Sequence, residues 1–197
     1  MIKQQGDIDI DFPNRDNALS HLMHYKASIK RDKTFSKHAT GIYFTEIPHD
    51  LDGNATIDYK EAEGRGYFKV DFLNVSVYEQ VTSEQHLVEL MTTNPPWQRL
   101  LEPDFCAQLI HVGNYNWMIK NLAEPIDSIP RLMMFISLIR PGKKHLVGKT
   151  WKEIAETIWD KPTDGSYAFK KSHACAYSHL IIVHMNLLVE QEKLSIC

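Results

Sequence analysis

Hydrophobic residues change their period along this chain. In the N-terminal stretches apolar and polar residues alternate, and from Val75 the period lengthens. The alternation is cleanest at Gly6-Asp7-Ile8-Asp9-Ile10-Asp11-Phe12. In a strand, side chains i and i+2 share a face. Asp7, Asp9 and Asp11 therefore share one face, and Ile8, Ile10 and Phe12 share the other, where they are expected to pack into a core. Pro13 and Asn14 end the strand, and Asn14 has N-cap chemistry. Leu19, Leu22, Met23 and Ile29 predict a helical stripe up to a basic segment, Lys30 to Lys37, which is expected as a loop. Ala39 to Thr45 predicts a strand introduced by His38. Asp50-Leu51-Asp52-Gly53-Asn54 is turn chemistry. Thr56 to Lys60 and Gly66 to Phe72 predict two strands joined by a hairpin turn at Gly64-Arg65-Gly66. On the second of these, Lys69 and Asp71 lie two apart and share a face.

After Val75, Val77, Val81, Leu87 and Leu90 predict a helix to about Met91, closed by Asn94-Pro95-Pro96. Shorter helical pieces follow over Trp97 to Leu101, Asp104 to Val112 and Tyr115 to Ala123. Ile129 to Ile139 is apolar and stops at Arg140-Pro141-Gly142. Trp151 to Trp159 predicts a short amphipathic helix and Asp164-Gly165 a turn. Ser172 to about Glu190 predicts the last helix, with Ser172 as its cap. The fold class expected is α+β: a small sheet carrying the acidic strands, followed by a largely helical second half.

Charge changes this picture locally. The chain has 197 residues, 43% of them hydrophobic, enough for a real core. Its 22 basic and 25 acidic residues give a net charge of −3, which excludes a strongly basic nucleic-acid binder. The bases are nevertheless segregated. Six fall between Arg131 and Lys152 with no acid among them, and five fall between Lys26 and Lys37 against Asp32 alone. From Glu46 to Glu63 the balance reverses. Such segregation creates a positive surface on an acidic protein. The three cysteines, Cys106, Cys175 and Cys197, have no metal-ligand spacing, and their odd number argues for a reducing, cytoplasmic setting. No apolar run approaches the ~20 residues that span a bilayer. Met1 to Gln5 lacks the apolar stretch of a targeting peptide.

Two stretches carry candidate chemistry. Three ionised carboxylates on one face disfavour one another. Divalent cations resolve the conflict, and hard carboxylate oxygens suit Mg²⁺ or Mn²⁺. The alternative is a solvated edge strand. At Lys170-Lys171-Ser172-His173, two lysines sit where a helix start offers free N–H groups and a positive dipole end. That clash points to an anionic ligand such as phosphate, with a solvated loop as the alternative.

Taken in order, these stretches resemble the catalytic core of the C-family bacterial replicative DNA polymerases, the DNA polymerase III alpha subunits. Asp7-Ile8-Asp9-Ile10-Asp11-Phe12 resembles the family's acidic palm strand. His38-Ala39-Thr40-Gly41-Ile42 resembles its His-Ala-x-Gly-Val strand. Phe68-Lys69-Val70-Asp71-Phe72-Leu73 resembles its Lys-Phe-Asp-Phe-Leu-Gly strand, with Asn74 where the family has Gly. Ile139-Arg140-Pro141-Gly142 resembles the fingers Phe-Arg-Pro-Gly, and Tyr167 to Tyr177 a Gly-Phe-Asn-Lys-Ser-His-Ser-Ala-Ala-Tyr stretch.

The resemblance implies a condensed core: a palm like that of polymerase beta over 1–93 and a helical fingers-like region over 94–197. It implies transfer of a nucleotide to a primer 3′-hydroxyl with two Mg²⁺ or Mn²⁺ ions. Asp9, Asp11 and Asp71 are then the metal-binding catalytic carboxylates, and Asp7 is auxiliary. Lys69, Arg140, Lys171, Ser172 and His173 fall on nucleotide or DNA phosphate positions. Primed DNA and deoxynucleoside triphosphates are the implied partners, and the basic segments are expected to form the DNA-facing surface. The family places a Gly-Ser phosphate-binding turn upstream of the acidic strand, and only six residues precede Asp7 here. The alternative is therefore a non-catalytic or split-polymerase subunit completed by a second polypeptide. A compact replication gene of this kind suits a bacteriophage, with the bacterial host cytoplasm as its compartment.

Overall fold

In a computed structural model of the chain, which describes residues 8–163 and 168–196, two compact units divide at Val81: Met1–Val81 and Thr82–Cys197. The class is α+β, with a mixed five-stranded sheet in the first unit and helices in the second.

In the first unit the chain runs β1 (Ile8–Phe12), α1 (Arg15–Ser20), β2 (Tyr25–Arg31), β3 (Thr34–Tyr43), β4 (Asn54–Asp58), α2 (Tyr59–Gly64) and β5 (Val70–Asn74). Strand order is β1-β5-β3-β2-β4. The β1–β5 and β2–β4 pairs are parallel, and β3 is antiparallel to both β2 and β5. Each sheet face has a small core. Ala27, Tyr43 and Ala55 pack with Ile47 and with Ala62 of α2. Ile42, Val70 and Phe72 pack with Leu19 of α1.

Local chemistry accounts for several of these boundaries. The Asn14 side chain caps α1 by accepting from the Asn17 N–H at 2.9 Å. Asp50 Oδ1 accepts from the N–H groups of Asp52 and Asn54, both at 2.9 Å, and closes the expected turn. Gly53 takes the left-handed φ of 73° that this turn requires.

Three expectations are corrected here. The helical stripe ends at Ser20, and Ile29 lies in β2 instead, because β2 is needed between β3 and β4. The basic segment is not a loop. Arg31 pairs with Thr34 across a two-residue hairpin turn in which Asp32 takes φ 55°. Gly64-Arg65-Gly66 is no hairpin turn either, since β4 and β5 do not pair. It closes α2: Arg65 is the C-cap, Gly66 takes φ 91°, and the Tyr67 N–H returns to Ala62 O at 3.0 Å.

The second unit comprises α3 (Glu84–Thr92), α4 (Pro103–Gln108), α5 (Asn116–Lys120), α6 (Ile129–Leu138), α7 (Trp151–Thr157) and α8 (Lys171–Ile196), linked by 3₁₀ turns. The expected helix from Val75 breaks in two. Ser76–Gln80 is a 3₁₀ turn, and α3 starts afresh from Ser83, whose side chain accepts from the His86 N–H at 3.0 Å. α8 begins at Lys171, so Ser172 lies in its first turn rather than at the cap. Ala174, Ile181, Ile182, Met185 and Leu188 of α8 join Leu132, Phe135 and Ile136 of α6 in one core. Leu180, Val183 and Leu187 are buried too, so α8 is buried on nearly every side over its middle turns, with Ser178 and Asn186 among the buried residues. α7 carries a reciprocal capping box between Thr150 and Glu153. Cys106 and Cys175 are free thiols. Among the described residues no helix is long and apolar enough to cross a membrane.

Asn186 is the buried polar tie in this unit. Its Nδ2 donates to Leu90 O at 2.8 Å and Thr93 O at 3.0 Å, satisfying the C-terminal carbonyls of α3. Asn186→Leu keeps the volume and removes both donors. It should lower stability by about 1–3 kcal/mol, the cost of buried unsatisfied carbonyls. Urea denaturation followed by far-UV ellipticity measures this, and an unchanged midpoint would show that the bonds contribute nothing net.

Candidate active site

The acidic strand β1 is an edge strand beside β5, with Asp9 opposite Asp71 and Asp11 opposite Leu73. Registered residues of a parallel pair point to the same side, and side chains alternate along each strand. Asp9, Asp11 and Asp71 therefore share one sheet face. Ile8, Ile10 and Phe12 share the other with Val70 and Phe72. Phe12 stacks on Phe72 with ring centroids 4.7 Å apart. The expected burial of the whole apolar face is corrected, because Ile8 and Ile10 are 44% and 36% exposed. β1 is an edge, and the core around Leu19 reaches only its Phe12 end. Asp7 lies outside the described residues.

Asp71 is the best supported of the three acids. Lys69 Nζ forms an ion pair with its Oδ2, and both side chains are largely buried, at 17% and 13% exposure. Thr40 Oγ1 donates to its Oδ1 at 2.7 Å. His38 Nδ1 lies 3.8 Å from the same oxygen. That contact is not a charge pair. His38 Nδ1 accepts the N–H groups of Gly41 at 2.9 Å and Thr40 at 3.3 Å, so it carries a lone pair. Burial and then the Lys69 charge push the His38 pKa down, against the pull of Asp71. The neutral ring therefore holds its proton on Nε2.

These contacts depend on an irregularity in β3. The β2–β3 register shifts between Lys26 and Ser28, leaving extra residues at His38 to Gly41. The His38 ring gathers the N–H groups of this bulge, and Arg15 holds its carbonyls, donating to Ala39 O at 2.8 Å and Thr40 O at 3.3 Å. The Arg15 N–H in turn donates to Asn74 Oδ1 at 2.9 Å. Asn74, where the resembled family has Gly, thus ties α1 to the end of β5. Gly41 leaves room for the Lys69 stem: a Cβ there would meet Lys69 Cδ at 2.8 Å, Ala27 Cβ at 3.0 Å and His38 Nδ1 at 3.0 Å.

Electrostatically this edge remains acidic. Burial and then the Asp9 charge raise the Asp11 pKa, and burial and then Asp11 raise that of Tyr78. Lys69 pairs with Asp71, and Asp9 and Asp11 share that face with it. Among the described residues no group of three or more His, Cys, Asp or Glu side chains is assembled as a metal site. The three carboxylates share a face without being gathered into such a group. Each Asp71 oxygen has a second lone pair beyond the bond it accepts, and Asp9 and Asp11 add further oxygens on the same face.

The second unit holds the other expected positions. Arg140 follows α6 and lies 4.5 Å over the Phe169 ring. Phe169 stacks on Tyr177 at 5.4 Å and meets His173 edge-on at 5.9 Å. His111 lies 4.4 Å from Tyr177, and burial and then Arg140 lower its pKa. Arg140 and His173 thus meet on one aromatic cluster. Lys171 lies over Trp159 at 5.8 Å, and Ser172 is exposed in the first turn of α8. Tyr167 lies outside the described residues. The basic run after Arg131 is thinner at the surface than its sequence implies. Arg131 is paired with Glu124 and Asp127, and Lys143 is buried, donating to Thr157 O.

Arg15, Thr40 and Tyr78 were not anticipated as site residues. Thr40 lies within the quoted His-Ala-Thr-Gly stretch and had that signal. Arg15 and Tyr78 had none. Compared with protein-family models and with curated proteins, the chain matches none significantly.

Two measurements follow from this geometry. Gly41→Ala should destabilise by about 1–3 kcal/mol, the usual cost of overpacking, and a denaturant midpoint equal to wild type would refute the close approach. For Asp11, a folded-state pKa above the unfolded value means that the protonated form favours folding. That contribution is complete below the unfolded pKa and is lost as pH rises through the folded one. Asp11→Asn should therefore melt higher than wild type at neutral pH, with the gap closing as pH falls through the carboxylate range. Parallel melting curves across that range decide it.

Proposed function

We propose that this chain is a nucleotidyltransferase core similar to the DNA polymerase III alpha subunit, which extends a primer 3′-hydroxyl with Mg²⁺ or Mn²⁺. One observation carries the reading: Asp9 lies opposite Asp71 on adjacent parallel strands, and Asp71 is held by Lys69 and Thr40 beside the His38–Gly41 bulge. Several carboxylates on one sheet face suit divalent cations, and Asp9, Asp11 and Asp71 are the residues that would hold them. Held by those carboxylates, Mg²⁺ or Mn²⁺ would lower the pKa of the attacking hydroxyl and offset charge on the phosphates.

The protein's own groups do the rest. Lys69 and Thr40 pair with the two Asp71 oxygens and fix its orientation. The Lys69 ammonium is a cation preplaced where phosphate charge would develop. His38, held neutral, and Arg15 brace the bulge that aims Thr40. The primer 3′-oxygen bonds to the α-phosphorus, the bond to the departing pyrophosphate breaks, and solvent takes the hydroxyl proton. Arg140, Lys171, Ser172 and His173 are the positions in the second unit proposed to contact nucleotide or DNA phosphates.

A second reading is supported by the exposure of Ile8 and Ile10 on an edge strand. Among the described residues no strand pairs with the outer side of β1, and such an apolar edge suits a second polypeptide.

Primer extension with Mn²⁺ tests both readings, with the chain alone and with the products of neighbouring genes. Wild type should incorporate nucleotide, and Asp9→Asn or Asp71→Asn should lose about 100-fold or more, the scale of removing an electrostatic catalytic group. Mn²⁺ should also raise the melting temperature of wild type but not of Asp9→Asn, because an ion bound only by the folded state stabilises it. Absence of extension in both settings, with no melting shift, would overturn the catalytic reading.

A further inference from the structure

The basic segment Lys30 to Lys37 forms a ribbon that extends past the rest of the sheet. Among the described residues β3 pairs with β5 at Gly41 and Ile42, and β2 pairs with β4 at Lys26 and Ser28. From Ile29 to Ser36 the two strands of the hairpin pair with each other. At its root the Lys30 N–H donates to Asp58 Oδ2 at 2.8 Å, which anchors the ribbon to the N-cap of α2.

The register sorts the side chains by face. Lys30 is opposite Phe35, and Ser28 is opposite Lys37. With a period of two, Lys30, Phe35 and Lys37 come out on one face. Arg31 and Thr34 are opposite each other and share the other face with Ile29 and Ser36. Lys33 is at the turn beside Asp32. Lys30, Arg31, Lys33 and Lys37 are all exposed, and among the described residues no ion pair engages them. Phe35 is 46% exposed.

An exposed phenylalanine between two lysines on a narrow ribbon contributes little to a core. It matches a ligand that offers negative charge and flat apolar faces together. Single-stranded nucleic acid offers both, because its bases stack on aromatic rings while its phosphates take the cations. A duplex offers the phosphates but keeps its base faces stacked, and an acidic peptide offers charge without aromatic faces.

We propose that the Lys30–Phe35–Lys37 face of this ribbon docks single-stranded nucleic acid, with Phe35 stacked on a base and the two lysines on neighbouring phosphates. The choice of DNA as probe rests on the function proposed above, whereas the binding itself requires no catalysis.

Fluorescence anisotropy of labelled oligo(dT) against the full chain, over a salt series, tests the proposal. Phe35→Ala should weaken binding about tenfold, within the range for loss of one stacked base. Phe35→Trp should restore or exceed the wild-type affinity. The Lys30→Ala, Lys37→Ala double variant should flatten the log–log salt slope by about 1.4, two phosphates' worth for a single strand. Arg31→Ala removes the same charge from the opposite face and should cost less than Lys30→Ala. Melting curves check that these surface variants remain folded. No binding at low salt, an unchanged affinity for Phe35→Ala, or equal losses from Arg31→Ala and Lys30→Ala would overturn the proposal. Equal affinity for duplex would also overturn it, as would equal displacement by polyglutamate. Ribbon binding without primer extension would count against the proposed catalysis alone, and extension with no contribution from Phe35 would count against the ribbon alone.

Discussion

A largely buried carboxylate group needs hydrogen-bond donors or cations around its oxygens. Asp71 is in that position, and the architecture around it follows from meeting the demand. Lys69 neutralises it from two residues away on the same face, and Thr40 donates to its other oxygen. Thr40 reaches Asp71 because β3 is irregular at His38 to Gly41. An irregular strand exposes backbone groups that need partners. The His38 ring takes the N–H groups and the Arg15 guanidinium takes the carbonyls. Gly41 lacks a Cβ because the Lys69 stem passes there. Residues from α1, β3 and β5 thus serve one charge, and loss of any of them leaves another buried polar group unpaired.

The second unit is organised by packing rather than by charge. α8 is mostly apolar and buried on nearly every side over its middle turns, and α3 and α6 help to supply its neighbours. Its exposed C-terminal turns carry the polar links instead. Arg99 pairs with Glu192 and Glu102, and His86 with Glu190. At the other end, Phe169 and Tyr177 stack beneath Arg140, so the cation sits on a preformed aromatic surface. The separation into a charge-centred sheet and a packing-centred helical unit reflects the change of hydrophobic period at Val75.

Much of this was legible in the sequence. Alternation at Asp7 to Phe12 marked a strand with an acidic face, and the long apolar stripes marked the helical half. Turn and cap chemistry at Asn14 and at Asp50 to Asn54 was read correctly. The β2–β3 hairpin was missed because Asp32-Lys33 is not a strong hairpin dipeptide and the flanking bases hide the alternation. The α2 helix was missed although Asp58 and Glu61 have the spacing of an N-terminal capping pair. The burial of Ile8 and Ile10 was overestimated, because alternation does not reveal whether a strand lies at an edge. The Arg140–Phe169 contact joins positions far apart in sequence, and local pattern carries no signal for it.

The site's charge balance links these points. Asp9, Asp11 and Asp71 share one sheet face, and burial and then the Asp9 charge raise the Asp11 pKa. Removing the Asp11 charge would relieve that cost at neutral pH. Asp71 differs, because Lys69, Thr40 and the bulge are arranged around it. The network therefore holds Asp71 in place, whereas the ionised Asp11 is carried at a cost to the fold. Residues that a fold tolerates at a cost are the usual mark of a functional site. On that argument the edge strand β1, rather than the better-packed strand β5, carries the stronger signature of function.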